Sequence, residues 1–540
     1  MHTISRRRFL SALGAALPLP SPLVKAIPNG WLGDLFAADD PSTTEDLSSP
    51  LSRDPLRPQF HLLPAANWMN DPNGPVFYHG RYHMFYQYNP HGAYWGSMHW
   101  GHATSPDMVH WRHEPVALAP TPGGNDSDGV FSGATVLDRG KPTILYTGVM
   151  PPKNPSEATL KDGAHTWKEV QCMAIARDDD LRNWTKAAAP ILGSPPPGLA
   201  VTGFRDPCLW REGNQWRMVV GSGFAGKGGA ILLYASEDLH HWTYLHPLMQ
   251  ARVGGQESLN PVDGGEMWEC PDFFPLGERH VLLISTKGKV FWKVGAYHDQ
   301  LFYPEKEGTV DFGSYYAART MLDRSGNRIL WGWIPETRPE EEYRRAGWAG
   351  VMSLPRILTL AGDGSLQMRL APEVEALRGP AAAFAGPELG GAELGDSKLG
   401  SAGHSPEALA GIAALRIHNL AAELQLSFTP RPGQQFQVEL RSEQNELFAS
   451  ITYQPLAGGG DLSLNRRRAA MPSSPGVTLS LRLLLDGSVL ELLANESVAI
   501  TDRVYFSPTT PLKIVLPSDT PVSSLHLWPI HPISPDRLTG

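Results

Sequence analysis

The chain has 540 residues, 41% of them hydrophobic, which is enough to bury a large core spread over more than one domain. Its formal charge of −9 at pH 7 leaves no evident nucleic-acid surface. No run of about 18 apolar residues is present to span a membrane. Sixteen Trp, fifteen Tyr, 54 Gly and 49 Pro suggest many short strands and turns, and three widely spaced cysteines (Cys172, Cys208, Cys270) form neither a disulfide framework nor a zinc pattern.

At the N-terminus, Ser5-Arg6-Arg7-Arg8-Phe9-Leu10 leads into an apolar stretch ending at Leu17, and Val24-Lys25-Ala26 offers a small-residue cleavage site. Residues 1–26 therefore resemble a twin-arginine export signal, which would place the folded protein in the periplasm or outside the cell. Residues 27–55, rich in Pro, Ser, Asp and Thr, read as a linker.

Next comes Asn67-Trp68-Met69-Asn70-Asp71-Pro72-Asn73-Gly74. Asp71-Pro72-Asn73-Gly74 taken alone is turn chemistry, because proline presets φ and Asn-Gly tolerates the left-handed region. A tryptophan ahead of the carboxylate argues for more. So do two later acids near prolines, in Arg205-Asp206-Pro207 and Glu269-Cys270-Pro271-Asp272.

From His61 onward apolar runs alternate with turn signals, and three segments repeat an acid, an apolar residue, two further residues and a Trp. They are Asp107 to Trp111, Asp180 to Trp184 and Asp238 to Trp242. Taking Asp71, Phe131-Ser132-Gly133, Asp206, Glu269 and Tyr315-Tyr316-Ala317 as unit openings gives five units, each of a size for about four short strands. The pattern predicts an all-β chain with a five-bladed propeller over residues 56–362, whose inner strands bring Asp71, Asp206 and Glu269 into one funnel. A sandwich with scattered acids is the competing reading.

Residues 363–412 are rich in Gly, Ala, Glu and Pro and read as a linker holding one short helix near Pro372–Arg378. Beyond Leu415 the alternation has period two, as in Phe436-Gln-Val-Glu-Leu440, and Asp486-Gly487 is a hairpin signal. Residues 413–540 thus read as an antiparallel β-sandwich.

Three carboxylates in an aromatic-rich pocket suit cleavage of a glycosidic bond, one protonating the leaving oxygen while another attacks the anomeric carbon. Trp68, Trp95, Trp100 and Trp268 offer flat faces to a sugar, and Asn70, Gln87 and Arg205 offer hydrogen bonds to hydroxyls. A hard metal ion is the rival occupant for such acids. The Asp71 stretch lacks the alternating acids of a calcium loop, so neither metal nor cofactor is expected.

Trp68-Met-Asn-Asp-Pro-Asn-Gly74, Phe131-Ser-Gly133, Arg205-Asp-Pro207 and Trp268-Glu-Cys-Pro-Asp272, in that order, resemble the signatures of glycoside hydrolase family 32. That family holds invertases, inulinases, levanases and fructan exohydrolases. Gln87-Tyr-Asn-Pro90, Trp95 to His102, Ile329 to Trp333 and Gly347 to Gly350 support the likeness. The resemblance implies a propeller followed by a sandwich and a retaining double displacement. Asp71 would be the nucleophile, Glu269 the acid/base and Asp206 the transition-state stabiliser. Trp68, Asn70, Gln87, Trp95, Phe131, Ser132 and Arg205 would bind a fructose-containing saccharide. Cys270 would either tune the acid or simply pack. Plant invertases carry an aspartate after the acid/base that helps hold the glucose of sucrose, whereas Ser285 to Trp292 here is shorter and has none. Sucrose, inulin and levan therefore stay open as substrates. Transfer of fructose to a sugar, and fructan binding without catalysis, are the alternatives.

Overall fold

The computed structural model describes residues 48–161, 166–251, 260–385, 411–472, 476–517 and 522–534. The expected export signal, residues 1–26, lies outside them, as do residues 27–47 and 386–410 of the expected linkers. Five antiparallel sheets come first, opening with Asn67–Tyr78, Gly129–Asp138, Val201–Glu212, Glu269–Leu276 and Tyr316–Leu322. Each opening strand touches the next, and the fifth returns to the first, so the sheets are the blades of a closed five-bladed propeller. A parallel pairing of Trp348–Ala349 with Asn67 and Trp68, beside Asn67 N–H donating to the Gly347 carbonyl at 2.8 Å, seals the ring.

The repeated Trp segments fall at the turn between the third and fourth strands of blades 1, 2 and 3. Met108, Leu181 and Leu239 are buried there with φ of 67°, 57° and 64°, a conformation unfavourable for bulky residues. Their turns are held by carboxylates. Asp107 accepts from the backbone N–H of Val109 and His110, and Asp238 accepts from those of His240 and His241. In blade 2 the residue with this job is Asp178, two positions earlier than the Asp180 picked out by spacing. The tryptophan closes the motif: Trp184 and Trp242 donate Nε1–H to the carbonyls of Leu181 and Leu239 at 2.9 and 2.8 Å.

After the propeller, two six-stranded sheets pack face to face as a sandwich around a Leu-rich core. Strand Val489–Ala494 departs from the period-two alternation expected beyond Leu415 and is buried on both faces. One face meets the sandwich core, and the other, through Leu493, meets propeller residues such as Tyr315 and Met368.

Two expected linkers are corrected. Residues 48–55 hold a short helix, Ser48–Ser52, with Leu51 in the core and Asp54 accepting from Trp348 Nε1 at 2.8 Å. Within 363–412, Leu366–Leu370 is the outer strand of blade 5 and Ala382–Ala385 pairs with the sandwich strand Val522–Pro529. Average composition hid both, because a few apolar residues (Leu51; Leu366, Met368 and Leu370) anchor each piece in the core within otherwise polar or small-residue stretches. The helix placed near Pro372–Arg378 is a 3₁₀ segment, Pro372–Leu377.

A buried charge network joins the two parts. His61 Nδ1 and Nε2 contact Asp486 at 2.7 Å and Glu491 at 2.9 Å, all fully buried. Arg356 of blade 5 links Glu491 to Asp311, its Nη1 3.0 Å from the latter. Burial alone would push His61 down, but the two carboxylates raise it to about 9. Burial would push Glu491 up, and Arg356 with His61 holds it at about 2.

Candidate active site

All five inner strands break register with their neighbour at one height: between Met69 and Pro72, Val130 and Gly133, Arg205 and Cys208, Glu269 and Asp272, and Tyr316 and Arg319. Such bulges leave residues out of the ladder and re-aim their side chains. The cost is visible in the backbone, where Asp206, Cys270 and Ala317 take φ of 64°, 46° and 53°. Pro207 and Pro271 sit where the ladder needs no N–H. Asp71-Pro72-Asn73-Gly74 is therefore not a hairpin turn but a twice-interrupted strand.

The bulge also corrects the apparent equivalence of the acids. Asp71 is the second unpaired residue of its strand, Asp206 the first of its own, and Glu269 the last paired residue before the break. All three are buried. Asp71 is fixed on both oxygens: Asn70 Nδ2 donates to Oδ1 at 2.9 Å and Ser132 Oγ to Oδ2 at 2.6 Å. Asn70 is held in turn by Trp68 Nε1 at 2.7 Å. Cys270 spans two acids. Its backbone N–H donates to Asp206 Oδ2 at 3.0 Å, and its Sγ lies 3.4 Å from Asp71 Oδ2 and 3.5 Å from Asp206 Oδ2. The thiol thus touches the carboxylates directly, in addition to packing.

Arg205 reaches the third acid. Its Nε and Nη2 donate to Glu269 Oε1 at 3.1 and 2.8 Å, and Nε is 4.0 Å from Asp206 Oδ2. Tyr316 of blade 5 donates its O–H to Glu269 Oε2 at 2.8 Å. Burial opposes the arginine's charge, yet Glu169, Glu269 and Asp206 together hold it well above its usual value. Beneath the acids, Arg319 Nη1 donates to the Pro271 carbonyl and Nη2 to that of Asp206 at 3.2 Å, tying two of the strained strands together.

Aromatic rings wall the site. Phe131 meets Trp95 and Trp167 edge-on, each at 5.8 Å, and Trp68 lies 5.9 Å from both Trp333 and Tyr343. The Nε1 atoms of Trp95 and Trp333, and Gln87 Oε1, are buried with no hydrogen-bond partner among the described residues. Gln87 Nε2 is spent on the Val130 carbonyl at 2.9 Å. Two expected sugar platforms are core instead: Trp100 is fully buried with Nε1 on the Phe131 carbonyl, and Trp268 packs among Cys208, Val219 and Phe273. Tyr316, Trp333, Trp167 and Glu169 were not singled out from sequence. The first two lay inside motifs already noted, Tyr315-Tyr-Ala317 and Ile329 to Trp333. Glu169 had no signal, since a single acid in a strand reads as solvent-facing.

Chemically, the arrangement offers one carboxylate pinned by neutral donors and a second held by a guanidinium and a phenol. The third, Asp206, is set by the Cys270 backbone. That suits nucleophilic attack and proton transfer at opposite sides of an acetal bond.

The model for the glycosyl hydrolases family 32 N-terminal domain matches residues 61–371, and that for the family 32 C terminal matches residues 373–529. The chain is 34% identical over 485 residues to a sucrose-6-phosphate hydrolase of Escherichia coli, covering 84% of this chain and 90% of that one. It is 38% identical over 370 residues to an insoluble isoenzyme of beta-fructofuranosidase from Arabidopsis thaliana, covering 61% and 59%. Among solved structures, fructan 1-exohydrolase IIa from Cichorium intybus in complex with 1-kestose superposes with a TM-score of 0.72 at 26% identity, over 88% of this chain and 98% of that one.

Proposed function

The chain belongs to glycoside hydrolase family 32 and is a hydrolase acting on fructosides; we propose that it releases terminal fructose from sucrose or fructans by a retaining double displacement. In this reading Asp71 attacks the anomeric carbon and forms a fructosyl-enzyme while Glu269 gives its proton to the departing oxygen. Glu269 then takes a proton from water, which cleaves the ester with a second inversion. Asp206 binds fructose hydroxyls and stabilises the oxocarbenium-like transition state. Trp68, Asn70, Gln87, Trp95, Phe131, Ser132 and Arg205 line the fructose subsite. The observation that carries the reading is the fixing of Asp71 on both oxygens by Asn70 and Ser132, in a site whose other carboxylates are reached through Cys270 and Arg205.

Substrate choice turns on the hairpin after the acid/base. Lys287 at its tip, with φ of 52°, packs its side chain beside Gly265, and the hairpin lacks the aspartate that the resemblance to plant invertases would lead one to expect. The missing aspartate supports fructans over strong sucrose preference. Fructose release from sucrose, sucrose 6-phosphate, inulin and levan should be measured side by side. Release from at least one, abolished by Asp71→Ala, is the expected result. No release from any by folded enzyme, or full activity in Asp71→Ala, would sink the proposal. Early accumulation of oligosaccharides would point to transfer instead. Export through residues 1–26 belongs to the same proposal, and replacing Arg6 and Arg7 by lysine should keep the enzyme out of the periplasm.

A further inference from the structure

Arg205 serves two carboxylates. While Nε and Nη2 hold Glu269, Nη1 donates to Glu169 Oε1 at 2.6 Å. Glu169 comes from blade 2, on strand Thr166–Ala176, and is fully buried. Its other oxygen accepts from Phe204 N–H at 2.6 Å and from Thr159 Oγ at 3.1 Å. Its own N–H returns to Thr159 Oγ1 at 2.8 Å. The residue is therefore anchored on three sides and cannot swing away from the arginine.

Burying a second carboxylate is costly, and one salt bridge would already neutralise Arg205. Without Glu169, the guanidinium would be left to Glu269 and the more distant Asp206, and would favour the carboxylate form of Glu269 more strongly. An acid that must donate a proton at the start of each cycle is poorly served by such a partner. Dividing the charge between two carboxylates weakens that pull. Other charged or titratable groups around Glu269 are Asp71 from blade 1, Asp206 beside Arg205, Tyr316 and Arg319 from blade 5 and Cys270 next in sequence. Glu266 and Lys287 lie in the flanking segments. Glu169 stands outside this set and reaches Glu269 only through Arg205, on whose Nη1 it sits.

Resting on the assignment of Glu269 as acid/base, we propose that Glu169 is a positioning residue that takes up part of the charge of Arg205 and so lets Glu269 keep its proton. The sign follows directly. Removing the Glu169 charge makes the surroundings of Glu269 more positive, so its proton leaves at lower pH. The alkaline limb of kcat/KM, which reports loss of that proton, moves down.

The test is the pH profile of Glu169→Gln on an unactivated fructoside. The amide preserves size and an acceptor for Phe204 N–H. The limb should fall by about one pH unit or more, while Glu169→Asp, which keeps the charge, should leave it near the wild-type position. An aryl fructoside, whose leaving group needs little protonation, should lose much less rate at high pH. If glutamine disturbs folding, Glu169→Met gives the same readout without a polar group. A uniform drop in rate or melting temperature with the limb unmoved would overturn the inference and leave Glu169 a structural brace. Glu269→Gln separates the two levels. Wild-type rates in that variant would refute the acid/base assignment itself, whereas its inactivity alongside an unmoved limb in Glu169→Gln refutes the inference alone.

Discussion

At the scale of single residues, the site is a set of hydrogen bonds that fix the orientation of each acid. Asp71 Oδ2 carries both Ser132 and the Cys270 thiol, so Ser132→Ala removes the stronger of two donors from one oxygen. A hydrogen bond to a charged group contributes about 1.5–3 kcal/mol, which, if lost from the transition state, predicts a fall in kcat/KM of roughly tenfold to a hundredfold. Steady-state kinetics checks this, and wild-type kcat/KM would show that Ser132 does not orient the acid. That Asp71, Asp206 and Glu269 would meet is legible in the sequence because each opens a repeating unit and lies at or near a proline. Their partners are less legible. Tyr316 and Glu169 act across blades, and which side chain faces inward depends on a bulge that moves the register by one. No spacing rule separates Asp178 from Asp180, either, when both stand ahead of the same buried leucine.

Among the elements, the five bulges at one height are the shared device, and each blade uses its own differently. Blade 1 presents Asp71, blade 2 Ser132, blade 3 Asp206, blade 4 Glu269 and blade 5 Tyr316. The repeat was visible in the sequence through its outer turns, which are conformationally demanding and so need particular residues. The bulges themselves leave little trace beyond prolines. The seal of the ring at Trp348–Ala349 is the element most exposed to a single change. Gly350 has φ of 80°, and a Cβ there would overlap the Met69 carbonyl, one residue from Asn70. Gly350→Ala should destabilise the protein by at least ~2 kcal/mol and depress activity further than its stability loss explains, since the displaced backbone is that of the Asp71 strand. Thermal unfolding and kinetics on the same preparation measure both. Unchanged values would mean that the seam is tolerant and the closure argument wrong.

For the whole molecule, propeller and sandwich share the buried His61–Asp486–Glu491–Arg356–Asp311 network, so they should unfold in one transition. Two-domain organisation was readable from the change to period-two alternation, but this coupling was not, because Glu491 sits in a strand whose outer face looks solvent-bound. His61, raised from 6.5 to about 9, contributes stability that is complete below pH 6.5 and is lost as the pH rises through about 9. The full effect is roughly 3 kcal/mol. Glu491, lowered from 4.5 to about 2, contributes stability present above pH 4.5 and lost as the pH falls through about 2. Stability should therefore be greatest between these limits, and His61→Gln should flatten the alkaline decline; a decline of equal size in that variant would assign it elsewhere. The central claim, a retaining double displacement through Asp71, has a direct measurement in methanolysis followed by carbon NMR. With a β-fructofuranoside the enzyme turns over, in aqueous methanol, the account predicts methyl β-fructofuranoside from the wild type and none from Asp71→Ala. Formation of the α-anomer, or of either product at wild-type rate by Asp71→Ala, would contradict it.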